Sequence, residues 1–186
     1  LWMTGAIAAF TAMAVATRQI KGVHDTFEIL AYRSRIGFVI VVTLVAGLGR
    51  LRQIRTDRIG SHVLRNLFHF TGQSLWFHAI TVIPLAQVFA LEFTSPLWVI
   101  LLAPLVLGER LTKTKLLAAG LGFAGTLIVA NPDFSALDPG ILAAAGAAFF
   151  FASTNLMTKA LTKGEAIASI LFWLTLMQAG FGTLAM

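Results

Sequence analysis

Three charged side chains stand inside stretches that are otherwise apolar: Arg33, Arg35 and Glu92. A charge near the middle of a membrane helix costs about 2.5 to 3.5 kcal/mol on insertion scales, so such residues often mark functional sites. A buried guanidinium can anchor the carboxylate or phosphate of a ligand, or it can clamp two helices through a fixed salt bridge. From the residues alone, both interpretations of Arg33 stay open.

The relative positions of these charges limit what they can do together. Arg33 and Arg35 point about 200° apart around a helix axis, so only one of them can face a given cavity. Glu92 lies roughly 13 Å of helical rise from the turn at Ile83 and Pro84, a depth comparable to that of Arg33, which permits an ion pair. An unpaired and desolvated Glu92 would instead be able to take up and release a proton, or to contact a cationic ligand.

Polar residues at helical spacing form two stripes on the segment between these charges. The stripes contain Arg65, His69, Gln73 and Trp76, and Thr71, Ser74, His78 and Thr81. Because Arg65 is near the end of its segment, the predicted lining of a cavity is His69, Gln73 and Trp76, with Trp76 offering a ring for an aromatic or cationic ligand. A role for His69 in hydrogen-bonded packing is the alternative.

The chain that must position these residues has the composition of an integral membrane protein. It is 58% hydrophobic and 12% charged, with a mean hydropathy of +0.84. Apolar segments of this kind, separated by gaps too short for a soluble domain, predict an all-α polytopic helical bundle. The seven segments are Leu1 to Thr17, Glu28 to Gly49, His62 to Val82, Ile83 to Leu107, Lys115 to Ala130, Gly140 to Ala160, and Ala166 to Met186.

The fourth segment contains Glu92 and several prolines. Pro84 is at its entrance, where a missing backbone donor does least harm, whereas Pro96 and Pro104 should kink or locally unwind the helix. A broken helix that carries an acid suits the wall of an internal cavity better than a lipid-facing surface. The same segment provides two further candidate ligand contacts, Ser95 and Trp98.

The distribution of Lys and Arg predicts the orientation of the segments. Ten of these residues fall in or near the loops at 50–61, 108–114 and 159–165, whereas the opposite face has only Arg18 and Lys21. The positive-inside rule therefore assigns the three loops to the cytoplasm. Since the charges are dispersed over short turns, the net charge of +6 indicates topology rather than a nucleic-acid partner.

Two further patterns concern the packing and symmetry of the helices. Small residues at close-packing intervals predict helix contacts at Ala118, Gly122 and Gly125, and at Gly140, Ala144, Ala148 and Ala152. The stretch from Gly5 also resembles the stretch from Gly140, in a glycine start, alanine-rich residues and a basic exit. Five spans separate the two starts, which predicts an inverted repeat, although alanine-rich helices also resemble one another by chance.

Several segments together resemble the EamA domain of the drug/metabolite transporter superfamily. They read FEILAYRS, LWFHAITVIPLA, ALEFTSPLWVILLAPLVLGERLT and GLGFAGTLIVANP. The most specific part is the proline-containing segment that ends in Gly-Glu-Arg-Leu and is followed by a basic turn, a glycine-rich segment and Asn-Pro. The resemblance assigns 1–132 to a first five-span repeat, 133–139 to an external linker and 140–186 to the start of a second repeat.

This resemblance implies a ten-span protein of two inverted five-span repeats around a cavity that opens alternately to each side. The chain would contain seven of the ten spans, with the first span truncated at its start and the second repeat truncated at its end. Arg33 matches an arginine that the family often places in its second span, and the resemblance therefore selects Arg33 as the inward-facing one. The implied activity is secondary transport of small organic metabolites, with export and proton coupling through Glu92 as the finer expectations.

Other classes of membrane protein fit less well. The sequence contains no G-x-x-x-x-G-K-[ST] loop, no His-Glu-x-x-His motif, and no lysine in its seventh segment for a retinal Schiff base. A noncatalytic receptor or assembly subunit with the same bundle remains the alternative. The expected location is the cell (inner) membrane, and the expected partners are a small-molecule substrate and the lipid bilayer, with a homodimer left open; no nucleic acid, cofactor, metal or enzymatic activity is expected.

Overall fold

The computed structural model describes residues 2–20, 25–130 and 138–186, and these residues are helical apart from short turns. Most of the predicted external linker at 133–139 lies outside them. The helices are α1 (Trp2–Gln19), α2 (Thr26–Gly47), α3 (Ile59–Val82), α4 (Leu85–Glu92), α5 (Ser95–Leu107), α6 (Lys113–Ala130), α7 (Pro139–Leu161) and α8 (Ile167–Ala185), with a 3₁₀ turn at Leu51–Gln53.

Each predicted apolar segment corresponds to one helix, except that the fourth is divided into α4 and α5. Four of these units are long and apolar enough to cross a membrane by length and composition: α2, α4 with α5, α7, and α8. The helix α3 is outside this group, since polar residues such as Asn66, His69 and Gln73 interrupt its apolar sequence. The predicted all-α class is confirmed for the described residues.

The break between α4 and α5 follows from Pro96. Proline has no N–H to donate to the carbonyl four residues earlier, which here belongs to Glu92, and its ring crowds that carbonyl. The helix accordingly ends at Glu92, and the carbonyl of Leu91 accepts hydrogen bonds from the backbone N–H of Thr94 at 3.0 Å and from its hydroxyl at 2.6 Å. The predicted unwinding occurs at this point and not at Pro104, through which α5 continues until Gly108 ends it with a positive φ of 68°.

The bundle is built around two close helix pairs, α3 with α7 and α2 with α8. At the first pair, a Cβ added to Gly72 would lie 3.0 Å from the Cβ of Phe150. At the second, a Cβ added to Gly182 would lie 2.9 Å from the Cα of Ala31. Glycine at these two positions therefore allows the helices to approach closely.

The two predicted small-residue faces differ in their packing. On α7, Gly140, Ala144, Ala148 and Ala152 are all buried, as expected. On α6, in contrast, Ala118, Gly122 and Gly125 are exposed, and a Cβ added to either glycine would meet nothing within 4 Å. The prediction of a packed stripe on α6 is therefore wrong within the described part of the chain, because α6 contacts its neighbours α4 and α5 through a different face that includes Ala119 and Thr126.

Side-chain contacts bring the three loops that were predicted to be cytoplasmic to the same end of the bundle. The carboxylate of Glu109, after α5, accepts hydrogen bonds from Lys159 at 2.5 Å and from Lys115 at 3.5 Å. The backbone N–H of Arg55, before α3, donates to the hydroxyl of Ser169 at 3.2 Å. The α2–α3, α5–α6 and α7–α8 connections therefore share one end of the molecule.

Candidate functional site

A cavity of about 520 Å³ lies between α1, α2, α3 and α7, next to the end of α4. Its polar lining consists of Arg33, Arg65, His69, Gln73, Glu92, Thr154 and Asn155. Its apolar lining consists of Ala6, Ala9, Phe10, Met13, Trp76, Phe77 and Phe151. A cavity with aromatic walls and a few converging polar groups has the composition of a small-molecule binding site.

Five of the seven predicted ligand-contacting residues line this cavity: Arg33, His69, Gln73, Trp76 and Glu92. The other two do not line it. The hydroxyl of Ser95 donates to the carbonyl of Ala148 at 3.2 Å, and the ring of Trp98 packs edge-on against Phe149, with 5.3 Å between the ring centroids. The cavity lining also includes Arg65, which belongs to the predicted stripe but not to the predicted lining, and residues of α1 and α7 outside the predicted site, among them the polar residues Thr154 and Asn155.

Glu92 is the C-terminal residue of α4 and lies directly before the helix break. Its Oε2 accepts a hydrogen bond of 2.9 Å from the indole Nε1 of Trp76. Pro96 ends the helix at this residue, and the Glu92 side chain lines the cavity. Glu92 forms no ion pair with Arg33 within the described part of the chain. The ion pair that their comparable depths along the helices made possible is therefore not formed.

Arg33 faces the cavity from α2, and its partners are weak ones. Its Nη1 donates to the thioether sulfur of Met13 at 3.1 Å, and its guanidinium carbon lies 5.8 Å from the centroid of the Phe77 ring. Arg35 points to the other side of α2, as the predicted angle between them requires, and donates to the hydroxyl of Thr183 at 3.0 Å. The two arginines of this helix are therefore in different environments.

Arg65 faces the same cavity from α3 and is only 5% exposed. Its Nε donates to the hydroxyl of Thr158 at 2.6 Å, and its Nη1 is 3.4 Å from the amide oxygen of Asn66. The Thr158 hydroxyl in turn donates to the carbonyl of Thr154 at 2.7 Å. Since the proton of Thr158 is engaged on its own helix, its oxygen is free to accept from Arg65, which fixes the orientation of the guanidinium.

Two other side chains of the cavity contain buried polar atoms without a hydrogen-bond partner among the described residues. Neither the Nδ1 of His69 nor the Oε1 of Gln73 has a hydrogen-bond partner in the part of the chain that the structure describes. The aromatic residues stand next to these groups: the ring centroid of Trp76 is 4.8 Å from that of Phe10 and 5.4 Å from that of Phe77. Buried polar atoms without partners are uncommon, so these groups are well suited to bind a ligand.

A second buried polar cluster lies outside the cavity, at the end of the bundle that holds the basic loops. The imidazole Nε2 of His62 is 2.7 Å from Oε2 of Glu165, and both side chains are almost fully buried. The hydroxyl of Ser169 donates to the same carboxylate oxygen at 3.2 Å, and the indole of Trp173 donates to the carbonyl of Arg55 at 2.7 Å. This cluster connects the start of α3 to the turn between α7 and α8.

Comparison with known proteins assigns the family. The EamA-like transporter family matches residues 1–131. The chain belongs to this family. It is therefore a multi-pass membrane protein, which agrees with its four helices of membrane-spanning length and composition.

Individual members of the EamA-like family provide closer comparisons. The chain is 36% identical over 171 residues to a riboflavin transporter of Brucella anthropi, covering 90% of this chain and 60% of that protein. It is 27% identical over 154 residues to an S-adenosylmethionine uptake transporter of Rickettsia prowazekii, covering 83% of this chain and 52% of that protein. The chain thus spans only part of the length of these relatives.

A solved crystal structure has the same fold. It superposes with a TM-score of 0.66 at 21% sequence identity, and the match covers 94% of this chain and 61% of that one. At this identity the likeness concerns the fold alone.

Proposed function

We propose that this chain contributes the substrate cavity of a secondary transporter that moves small organic metabolites across the membrane without nucleotide hydrolysis. The observation that carries the proposal is the cavity itself: about 520 Å³ lined by charged, polar and aromatic side chains within a membrane bundle. Charged residues inside membrane proteins commonly mark substrate and ion pathways. Membership of the EamA-like transporter family supports the same function.

The lining favours a substrate with a flat ring and hydrogen-bonding edges. Phe10, Trp76 and Phe77 provide ring faces, and aromatic pairs add about 0.5 to 1.5 kcal/mol beyond the burial of their area. His69 and Gln73 supply unpartnered hydrogen-bonding atoms beside these rings. Riboflavin and S-adenosylmethionine, which the names of the two relatives specify, each contain a planar heteroaromatic ring.

Glu92 is the proposed proton carrier of the transport cycle. It is the only carboxylate among the described residues that line the cavity, and its hydrogen bond comes from a neutral indole and not from a cation. A carboxyl group in such a place can be protonated in one conformation and ionised in another. Arg33, His69, Gln73 and Trp76 are proposed to contact the substrate, whereas Ser95 and Trp98 are left outside the proposed site.

Alternating access in the full-length protein is proposed to use a second, inverted set of helices, so that this chain would supply seven of ten spans. Within the chain, the loops at 50–61, 108–114 and 159–165 are proposed to face the cytoplasm. Their shared position at one end of the bundle supports a common side.

Flux through reconstituted protein tests the function. The full-length protein that contains this chain is placed in proteoliposomes with an imposed pH gradient, and labelled riboflavin and S-adenosylmethionine are followed in both directions. We expect saturable movement of at least one ring compound and its reduction in the Arg33→Gln variant, but not in the matched Arg35→Gln variant, whose side chain lies away from the cavity. Binding without flux would instead indicate a receptor or assembly subunit, and no binding and no flux would refute the proposal.

A further inference from the structure

Two guanidinium groups share the cavity, and neither has a carboxylate partner. Arg33 reaches it from α2 and Arg65 from α3. Within the described part of the chain, no Asp or Glu oxygen lies within 4.0 Å of either group, and Glu92 is engaged with Trp76. The described lining therefore carries two positive charges and at most one negative charge.

Such an arrangement needs a negative partner. Arginine remains protonated in proteins, and the effective penalty for burying an uncompensated ion is several kcal/mol. The sulfur of Met13 and the face of Phe77 compensate Arg33 only in part, because a thioether is a weak acceptor. Arg65 has two neutral oxygen partners, and its Nη2 makes no hydrogen bond to any described residue.

The geometry of Arg65 suits recognition more than packing. Its Nε is fixed by Thr158, and its side chain is 5% exposed while still lining the cavity. A guanidinium held in this way offers its remaining N–H groups in a fixed plane, which matches the paired oxygens of a carboxylate or phosphate. A preorganised donor also loses less conformational entropy when a ligand binds.

We propose that Arg65 and Arg33 together form an anion subsite, so that the cavity prefers substrates with a carboxylate or phosphate, which lies between the two arginines, and a flat ring, which lies against Trp76. This inference rests on the cavity being the substrate site, as proposed above. Arg65 is the specificity-determining residue of the subsite. It selects the anionic member of a pair of otherwise similar ring compounds.

Matched ligand pairs test this subsite in the full-length protein reconstituted in nanodiscs. Nicotinate against nicotinamide compares a carboxylate with a neutral amide, and adenosine 5′-monophosphate against adenosine compares a phosphate with a hydroxyl. A charge-assisted hydrogen bond contributes about 1.5 to 3 kcal/mol, so the anionic member should bind at least about tenfold more tightly in one pair or both. The pair that shows the difference identifies the group that the subsite recognises.

Variants of Arg65 separate recognition from stability. Arg65→Gln should lower the affinity for the anionic member far more than the affinity for the neutral member, and so remove the preference. Arg65→Lys should retain only part of the preference because it keeps the charge but loses the planar fork. Thr158→Val, which frees the guanidinium without removing it, should weaken the preference, whereas Arg35→Gln should not. Elution as a single monodisperse peak confirms that each variant is folded.

The result that overturns the subsite is equal binding of neutral and anionic members, or an equal loss of both in Arg65→Gln. If riboflavin or S-adenosylmethionine still moves through proteoliposomes in that case, the proposed transport function stands and only the anion subsite is refuted. If nothing binds and nothing moves, the proposed function is refuted together with the subsite.

Discussion

At the scale of single residues, Glu92 is the group whose replacement is most informative. Glu92→Gln keeps the size of the side chain and an oxygen that can accept from Trp76 Nε1, but it cannot exchange a proton. We expect substrate movement to continue down a substrate gradient and its stimulation by a pH gradient to disappear. Proteoliposome flux with and without a pH gradient measures both quantities.

The matched control for this variant is Glu109→Gln. Glu109 lies in an exposed turn, where the hydrogen bond and the charge of Lys159 hold the pKa of its carboxyl below the ordinary value. It therefore stays ionised near neutral pH, and its replacement should leave the stimulation by a pH gradient intact. Stimulation that survived in Glu92→Gln at the level of Glu109→Gln would remove Glu92 from the proton pathway.

Residues of the site can be predicted from the sequence where helical spacing alone decides which side chains lie on the same face of a helix. His69, Gln73 and Trp76 follow that spacing and line the cavity together. Arg65 belongs to the same stripe, but its depth could not be judged from the sequence. The helix α3 begins at Ile59, and the turn between α7 and α8 covers its first residues, so Arg65 is enclosed instead of lying at an interface.

At the scale of helices, Gly182 controls the contact between α2 and α8. The Cβ of an alanine at this position would lie 2.9 Å from the Cα and 3.0 Å from the N of Ala31, and backbone atoms cannot move aside as a side-chain tip can. Gly182→Ala should therefore separate the two helices and destabilise the protein by about 1 to 3 kcal/mol. Thermal unfolding of the detergent-solubilised protein measures the change.

Gly180→Ala is the control for this prediction. It adds the same methyl group to the same helix, but the added Cβ meets nothing within 4 Å. Its midpoint of thermal unfolding should equal that of the unsubstituted protein or exceed it slightly, since alanine favours helix. If the two variants unfold at the same temperature, the close approach of α2 and α8 at Gly182 does not contribute to stability.

Helix breaks and helix partners differ in how far they can be predicted from the sequence. The break before Pro96 follows from local chemistry, because the missing donor and the ring act on a carbonyl four residues away. The partners of a small-residue stripe depend on the arrangement of whole helices, and the same glycine and alanine spacing is buried on α7 but exposed on α6. A pattern of small residues therefore indicates that a helix face can pack closely. It does not show whether another helix in the described part of the chain packs against that face.

At the scale of the whole molecule, the remaining prediction concerns orientation. The structure brings three basic loops to one end, whereas the side of the membrane is predicted only from the Lys and Arg distribution. The chain contains no cysteine, so a single introduced cysteine is its only thiol. We expect Gln53→Cys and Lys163→Cys to react with a membrane-impermeant maleimide only after the cytoplasmic side has been exposed, because these are exposed positions in the predicted cytoplasmic loops.

Ser135→Cys, in the predicted external linker, should react with the same reagent in intact cells. The control for general permeability is Ser153→Cys on α7, a nearly isosteric replacement at a position that is only 6% exposed, which should stay unlabelled from either side. Labelling of Gln53→Cys in intact cells together with protection of Ser135→Cys would show that the topology is the reverse of the predicted one. The basic end of the bundle, with the buried cluster of His62 and Glu165, would then face outward, and Arg65 would lie on the external side of the cavity.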